Sequence, residues 1–264
     1  AARRRSPELP FAMNLVTTIR DLHRRKGRER RGLALAEGVR LVEEMVGAAV
    51  DCKGAVISPA LEATPRGSAL AAALRNHGVR IETIGDRELG ELAATEHPQG
   101  IVAVYQPREW ALEQMLPTPG RPLVVLDGVQ DPGNVGTIAR TALAFGGSGM
   151  VALPGTVDLA NPKVVRSAAG ALFVLPSLHA DSAQLLELLR RQRIPLWATA
   201  MDGEPLGAPP DTPVALLLGN EGAGIQADLL AAAARRVAIP IRAEAESLNV
   251  AVAAGILLHH LGSA

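Results

Sequence analysis

The chain has a single cysteine, Cys52, among 264 residues, which rules out an intrachain disulfide and any metal site built from clustered cysteines, and fits a reducing cytoplasm. Its aromatic residues are Phe11, Tyr105, Trp110, Phe145, Phe173 and Trp197. These are too few for a base-stacking platform of the single-strand-binding type, so any RNA contact leans on phosphates and shape. No apolar run approaches the roughly 18 residues that cross a bilayer, and the strongest, Val214 to Leu218, is cut off by Gly219. No membrane partner is expected. The basic N-terminal stretch lacks the apolar segment and small-residue cleavage site of a secretory signal. There is no G-K-[ST], no G-x-S-x-G around Ser148 because Met150 stands in the last position, and no H-E-x-x-H among the six histidines. Phosphate-loop ATPase chemistry, a serine-hydrolase elbow and a bound metal are set aside.

What is present is a globular composition, 48% hydrophobic and 20% charged, of a length that suggests one or two domains. Net charge is zero, but unevenly spread. Residues 1–40 hold eleven Lys and Arg against four acids, a net of +7 that the rest of the chain offsets. Such asymmetry points to a polyanion contact around Arg24, Arg25 and Arg28, while a solvated helix face explains the same charges equally well. Arg3, Arg4 and Arg5 precede the first methionine, Met13, and carry little weight.

From Leu33 to Tyr105 apolar and helical patterns alternate, with strands expected at Leu33–Ala36, Ala55–Ser58, Val79–Ile84 and Ile101–Tyr105. That is a small α/β unit. Pro107, Pro117, Pro119, Gly120 and Pro122 then mark an interdomain linker over 107–121. A second alternation follows, with strands expected at Leu123–Leu126, Met150–Leu153, Leu172–Leu175, Leu196–Ala200, Val214–Leu218 and Arg236–Ile239, and a last helix over Leu248–Leu261. Their continuous hydrophobicity is that of parallel strands buried on both faces.

In open parallel sheets ligands bind beyond the carboxyl ends of strands, and three such places carry polar residues. The first runs from Asp127 to Arg140, where an Asn134 at a helix cap and Arg140 one and a half turns on would hold a phosphate; an N-cap and a solvated arginine are the plain alternative. The second is Gly219-Asn220-Glu221-Gly222, glycines that let a backbone approach a ligand or simply make a turn. The third is Ser247-Leu248-Asn249-Val250, which opens the last helix with Ser247 as a good N-cap, or presents Ser and Asn to a substrate. Gly147-Ser148-Gly149-Met150-Val151-Ala152 fits a loose G-x-G-x-x-A but precedes a strand, and no dinucleotide site follows from it.

Together, in this order and spacing, the three segments resemble the SpoU (TrmH-type) family of S-adenosylmethionine-dependent RNA ribose 2′-O-methyltransferases within the SPOUT superfamily. The N-x-G-x-x-x-R motif matches Asn134 to Arg140, the G-N-E-G motif Gly219 to Gly222, and the S-L-N-V motif Ser247 to Val250, with Ala251 where a serine often follows. Lys163 to Gly170 is similar to the family's basic stretch, and residues 33–105 resemble an L30e-like RNA-binding domain. The resemblance implies an α/β protein in which a basic N-terminal segment and L30e-like domain (1–106) precede a parallel-sheet SPOUT domain (122–264) with a deep trefoil knot, an exception to the rule that chains do not thread loops. It implies a homodimer with no metal, S-adenosylmethionine as methyl donor, donor contacts from Thr199, Leu218, Gly219, Ile239 and Leu248, a polar site of Asn134, Arg140, Glu221, Ser247 and Asn249, and RNA contacts from Arg24, Arg25, Arg28, Lys163 and Arg166.

The expected reaction is 2′-O-methylation of a ribose, in 23S ribosomal RNA first and transfer RNA as the alternative. A guanidinium pKa above about 12 makes arginine a costly base, so Arg140 is expected to grip a phosphate and lower the hydroxyl pKa. Two other classes compete. A Rossmann-like oxidoreductase needs a glycine fingerprint that Asp127 to Gly136 does not provide, and a non-catalytic RNA-binding protein leaves three polar motifs without a role.

Overall fold

The computed structural model describes residues 14–242 and 244–262, so Arg3, Arg4 and Arg5 lie outside it. The chain divides between Arg108 and Glu109 into two compact units. In the first, the Asn14 side chain accepts from the Thr17 N–H and starts α1 (Leu15–Leu22), whose Leu15, Ile19 and Leu22 fall on one face and are buried. The unit therefore begins well before Leu33. It continues through α2 (Arg25–Arg31), β1 (Ala34–Glu37), α3 (Val39–Gly47), β2 (Cys52–Ile57), α4 (Pro59–Glu62), α5 (Pro65–Asn76), β3 (Ile81–Thr83), α6 (Asp86–Leu92) and β4 (Ile101–Tyr105). The sheet order is β1-β4-β2-β3, with β4 antiparallel to both neighbours and β2 parallel to β3. The α1 side chains, Leu35, Val56, Leu89, Val102 and Val104 share one core. Burial pushes the Cys52 thiol up to about 11, so the lone cysteine is an unreactive filler.

The second unit comprises a 3-10 turn at Leu112–Met115, β5 (Leu123–Leu126), α7 (Pro132–Ala144), β6 (Gly149–Ala152), α8 (Pro162–Ser167), a 3-10 turn at Ala171–Phe173, β7 (Ser177–His179), α9 (Ser182–Gln192), β8 (Leu196–Pro205), β9 (Ala215–Leu218), α10 (Ala227–Ala232), β10 (Arg235–Ala238) and α11 (Val250–Gly262). Six strands form one sheet in the order β10-β8-β9-β5-β6-β7, every pair parallel. Their continuous hydrophobicity has the expected cause. Val124 and Leu126 of β5 face one core while Leu123 and Val125 face the other, and Leu216 and Leu218 of β9 are split from Ala215 and Leu217 in the same way.

Two expectations are corrected. Leu172–Leu175 is not a strand: Ala169 and Gly170 both take positive φ and turn the chain into the 3-10 segment, and the strand comes after Pro176 as β7. Nor is 107–121 a free linker. Met115 is fully buried in the second unit's core, with Trp110, Leu112 and Leu116 packed against it.

Gly136, the glycine of N-x-G, is a packing residue. A Cβ there would lie 2.4 Å from Ser167 Cβ and 2.7 Å from the Val164 carbonyl oxygen, because α7 and α8 cross at that point.

Candidate active site

The sheet reverses its order at β5, which has β9 on one side and β6 on the other, and polar residues gather at the carboxyl ends of the strands there. Buried Asp127 ends β5. Its Oδ2 accepts from the Gln226 N–H at 2.7 Å and its Oδ1 from Gln226 Nε2 at 2.6 Å. Next to it, the Gly128 carbonyl accepts from Asn220 Nδ2 at 2.7 Å, while Thr156 Oγ1 accepts from the Gly128 N–H and donates to the Leu126 carbonyl. The loop 219–226 is thus held at both ends. Within it, Asn220 and Gly224 exchange two backbone hydrogen bonds and Asn220 Oδ1 accepts from the Gly222 and Ala223 N–H groups. Gly219 has no room for a side chain, since a Cβ would come within 2.7 Å of the Gly224 carbonyl. Glu221 is carried at the exposed tip.

The three motifs, distant in the chain, meet through side chains. Asn134 Nδ2 donates to Glu221 Oε1 at 2.8 Å, and Asn249 Nδ2 donates to Asn134 Oδ1 at 3.0 Å. Asn249 Oδ1 in turn accepts from the Ala251 and Val252 N–H groups, so Asn249 and not Ser247 closes the start of α11. Asn134 is not a cap either. Asp131 Oδ1 accepts from the Asn134 N–H at 2.8 Å, which leaves the Asn134 side chain free to turn toward Glu221.

Beside this network lies a cavity of about 390 Å³. Thr199, Leu218, Gly219, Ile239 and Leu248 line it, as do Glu221, Ser247 and Asn249. Thr199 stands on β8, Leu218 ends β9 and Ile239 follows β10, so the walls come from the carboxyl ends of adjacent strands. Glu221 is the one ionisable side chain among the lining residues.

Arg140 does not join this group. It lies six residues beyond Asn134 on a regular helix, about 120° away around α7, exposed and without a hydrogen-bond or ion-pair partner among the described residues. Lys163 is likewise exposed, while Arg166 is half-buried with its Nη1 unbonded. In the first unit Arg24 is exposed, Arg25 pairs with Glu29, and Arg28 is buried, 5% exposed, with Nη1 donating to the Leu22 and His23 carbonyls. Arg28 is thus corrected from an RNA contact to the cap of α1's carboxyl end. Sequence reading gave no role to Asp127, Asn220, Thr156 or Gln226; a carboxylate directly after a buried strand was the available signal.

Fold and cavity define a two-unit α/β protein whose parallel-sheet domain carries a cavity of small-molecule size beyond β8, β9 and β10. Residues 121–259 match the SpoU rRNA Methylase family and residues 14–103 the MRM3-like substrate binding domain. The chain belongs to the SpoU rRNA methylase family. It is 35% identical to the Bacillus subtilis 23S rRNA (guanosine(2553)-2′-O)-methyltransferase RlmP over 93% of this chain and 95% of that protein. Among solved structures it resembles the SpoU methyltransferase AviRb from Streptomyces viridochromogenes in complex with AdoMet (TM-score 0.84, 27% identity, 95% of this chain and 97% of that one). It also resembles the AdoMet-bound rRNA methyltransferase from Sinorhizobium meliloti (TM-score 0.81, 30% identity, 96% and 95%).

Proposed function

We propose that the protein methylates the 2′-hydroxyl of a ribose in 23S ribosomal RNA with S-adenosylmethionine as donor. The observation that carries this reading is the convergence of Asn134, Glu221 and Asn249 at the rim of a cavity lined by Thr199, Leu218, Gly219, Ile239 and Leu248. The cavity suits the donor. Its volume lies within the ~300–1,000 Å³ of small-molecule sites, and apolar side chains form its walls. When bound, the donor supplies a methyl group on positively charged sulfur.

The protein's part is positioning and charge. Leu218, Ile239 and Leu248 exclude water, Gly219 and Thr199 hold polar parts of the donor, and Ser247 and Asn249 orient the substrate edge. Arg140, exposed and unpaired among the described residues, grips the phosphate beside the reacting ribose and favours loss of the hydroxyl proton. Lys163, Arg166 and Arg24 add phosphate contacts, with Arg25 doing so only by leaving its pair with Glu29. The measurement is transfer of labelled methyl to unmodified ribosomal RNA with mapping of the 2′-O-methyl position; labelling of transfer RNA alone would move the substrate, and no labelling of either RNA would remove the reading.

We propose further that two copies associate. Val252 and Ile256, one turn apart on α11, are 51% and 43% exposed, and Leu143 of the adjoining α7 is 38% exposed, an apolar face suited to a second copy. Sedimentation is expected to give a dimer at micromolar concentration, and a monomer would count directly against it. A trefoil knot also belongs to the proposal. After β10 at the sheet edge the chain returns across the strand ends to place Asn249 on Asn134, a route that favours threading; an experimental chain trace that closes without a knot would refute it. With ribosomal RNA as substrate, a cytoplasmic location is part of the same proposal.

A further inference from the structure

The polar network has a direction. Asn249 Oδ1 is occupied by the first N–H groups of α11, so its amide nitrogen must point outward, and it donates to Asn134 Oδ1. Asn134 then has only its own nitrogen left, which donates to Glu221 Oε1. The relay starts at the positive end of a helix and finishes on a carboxylate. Among the described residues Glu221 Oε2 accepts no hydrogen bond and no cation pairs with Glu221, so its charge is held in place by a neutral donor and left unneutralised.

The other charged groups on neighbouring elements are committed elsewhere or stand apart. Both Asp127 oxygens are taken by Gln226, Asp131 caps α7, Arg140 lies on another face of α7, and Arg242, Glu244 and Glu246, exposed before α11, are not among the residues lining the cavity. Glu221 is the only lining side chain able to take up a proton.

Resting on the proposed reaction, we infer that Glu221 is the proton acceptor for the ribose 2′-hydroxyl, with Asn134 and Asn249 as the residues that position it. As the oxygen–methyl bond forms, the hydroxyl proton passes to Glu221 Oε2. The methyl–sulfur bond breaks with its electron pair returning to sulfur, so a sulfonium becomes a neutral thioether, and the carboxylic acid gives its proton to water once the products leave. Arginine is thereby freed from acting as a base.

The test uses the full chain, ribosomal RNA and S-adenosylmethionine, with single-turnover methyl transfer and separate calorimetric titration of the donor. Glu221→Gln keeps the length of the side chain and an oxygen for Asn134 but accepts no proton, whereas Glu221→Asp keeps a basic carboxylate one methylene short. A proton acceptor predicts a loss of about 10²–10⁴-fold for Gln, a smaller loss for Asp, and donor affinity within about twofold of wild type in both. A purely structural holder predicts the reverse order. Gln retaining a rate within about threefold of wild type, Gln outperforming Asp, or a loss matched by weakened donor binding would each overturn the assignment. Those outcomes leave the methyltransferase reading standing; inactivity of the wild-type chain on every RNA would remove that reading itself.

Discussion

Arg140→Ala is expected to slow methyl transfer by about 10²–10³-fold while donor affinity stays within about twofold of wild type. Three observations lead there. The side chain is exposed on α7 and unpaired among the described residues, so its removal leaves no buried group orphaned and should change stability by less than about 0.5 kcal/mol. It does not line the cavity, so the donor's binding surface stays whole. What remains is its charge, and a guanidinium fork on the phosphate next to the reacting ribose acts only when RNA is bound and the hydroxyl is losing its proton. Single-turnover rates and calorimetry on the same preparation decide it. A variant that keeps its rate, or one that loses donor binding in step with rate, would place the role elsewhere.

The helix that carries Arg140 shows what a sequence motif does and does not say. N-x-G-x-x-x-R reads as one unit, yet its three named residues do three separate jobs: Asn134 bonds across to Glu221, Gly136 lets α8 approach, and Arg140 points away from both. Spacing alone contained this, since six helical residues rotate about 600° and separate the end positions. The partner of Asn134 was not readable, because Glu221 lies 87 residues on and is brought close only by the sheet order.

The same limit explains the strands. Doubly buried strands such as β5 and β9 announce themselves by unbroken hydrophobicity, and both were legible. The edge strand β7 needs no such run; Ser177–His179 is half-buried to exposed, whereas the apolar Leu172–Leu175 nearby is a turn that buries Phe173 and Leu175 but leaves Val174 half exposed. Of the cavity's lining, Gly219 to Gly222 and Ser247 to Val250 belong to the family motifs, while Thr199, Leu218 and Ile239 stand outside them. The Asp127–Gln226 and Gly128–Asn220 bonds that brace the loop were not, because their partners lie 99 and 92 residues apart and carry no local pattern.

The basic stretch from Arg20 to Arg31 should separate into two kinds of cation. Asp21 takes Arg30 and Arg31 at 2.6 Å each, and the Arg31 guanidinium foremost holds its carboxyl below the usual range, while Arg25 pairs with Glu29. Arg28 is buried under the end of α1. Arg20, Arg24 and Lys26 remain exposed with no partner among the described residues. Reversing charge at Arg24 and Lys26 is therefore expected to weaken RNA binding and flatten its salt dependence, by about 0.7–0.9 in the log–log slope for each phosphate no longer neutralised, with melting temperature and donor affinity unchanged. Arg28→Ala should do the opposite. It strips the buried Leu22 carbonyl and the part-buried His23 carbonyl of their donor, and at ~1–3 kcal/mol for each unsatisfied acceptor the loss is about 3 kcal/mol. That lowers the melting transition of a unit this size by on the order of 10 °C, while the RNA slope of the folded fraction is preserved. Salt-dependent RNA titrations and thermal melts on both variants distinguish the two kinds. Stable Arg28→Ala with a flattened slope would return Arg28 to the RNA-contacting surface, and an unaltered slope in the Arg24 and Lys26 variant would leave the charge run as a solvated helix face.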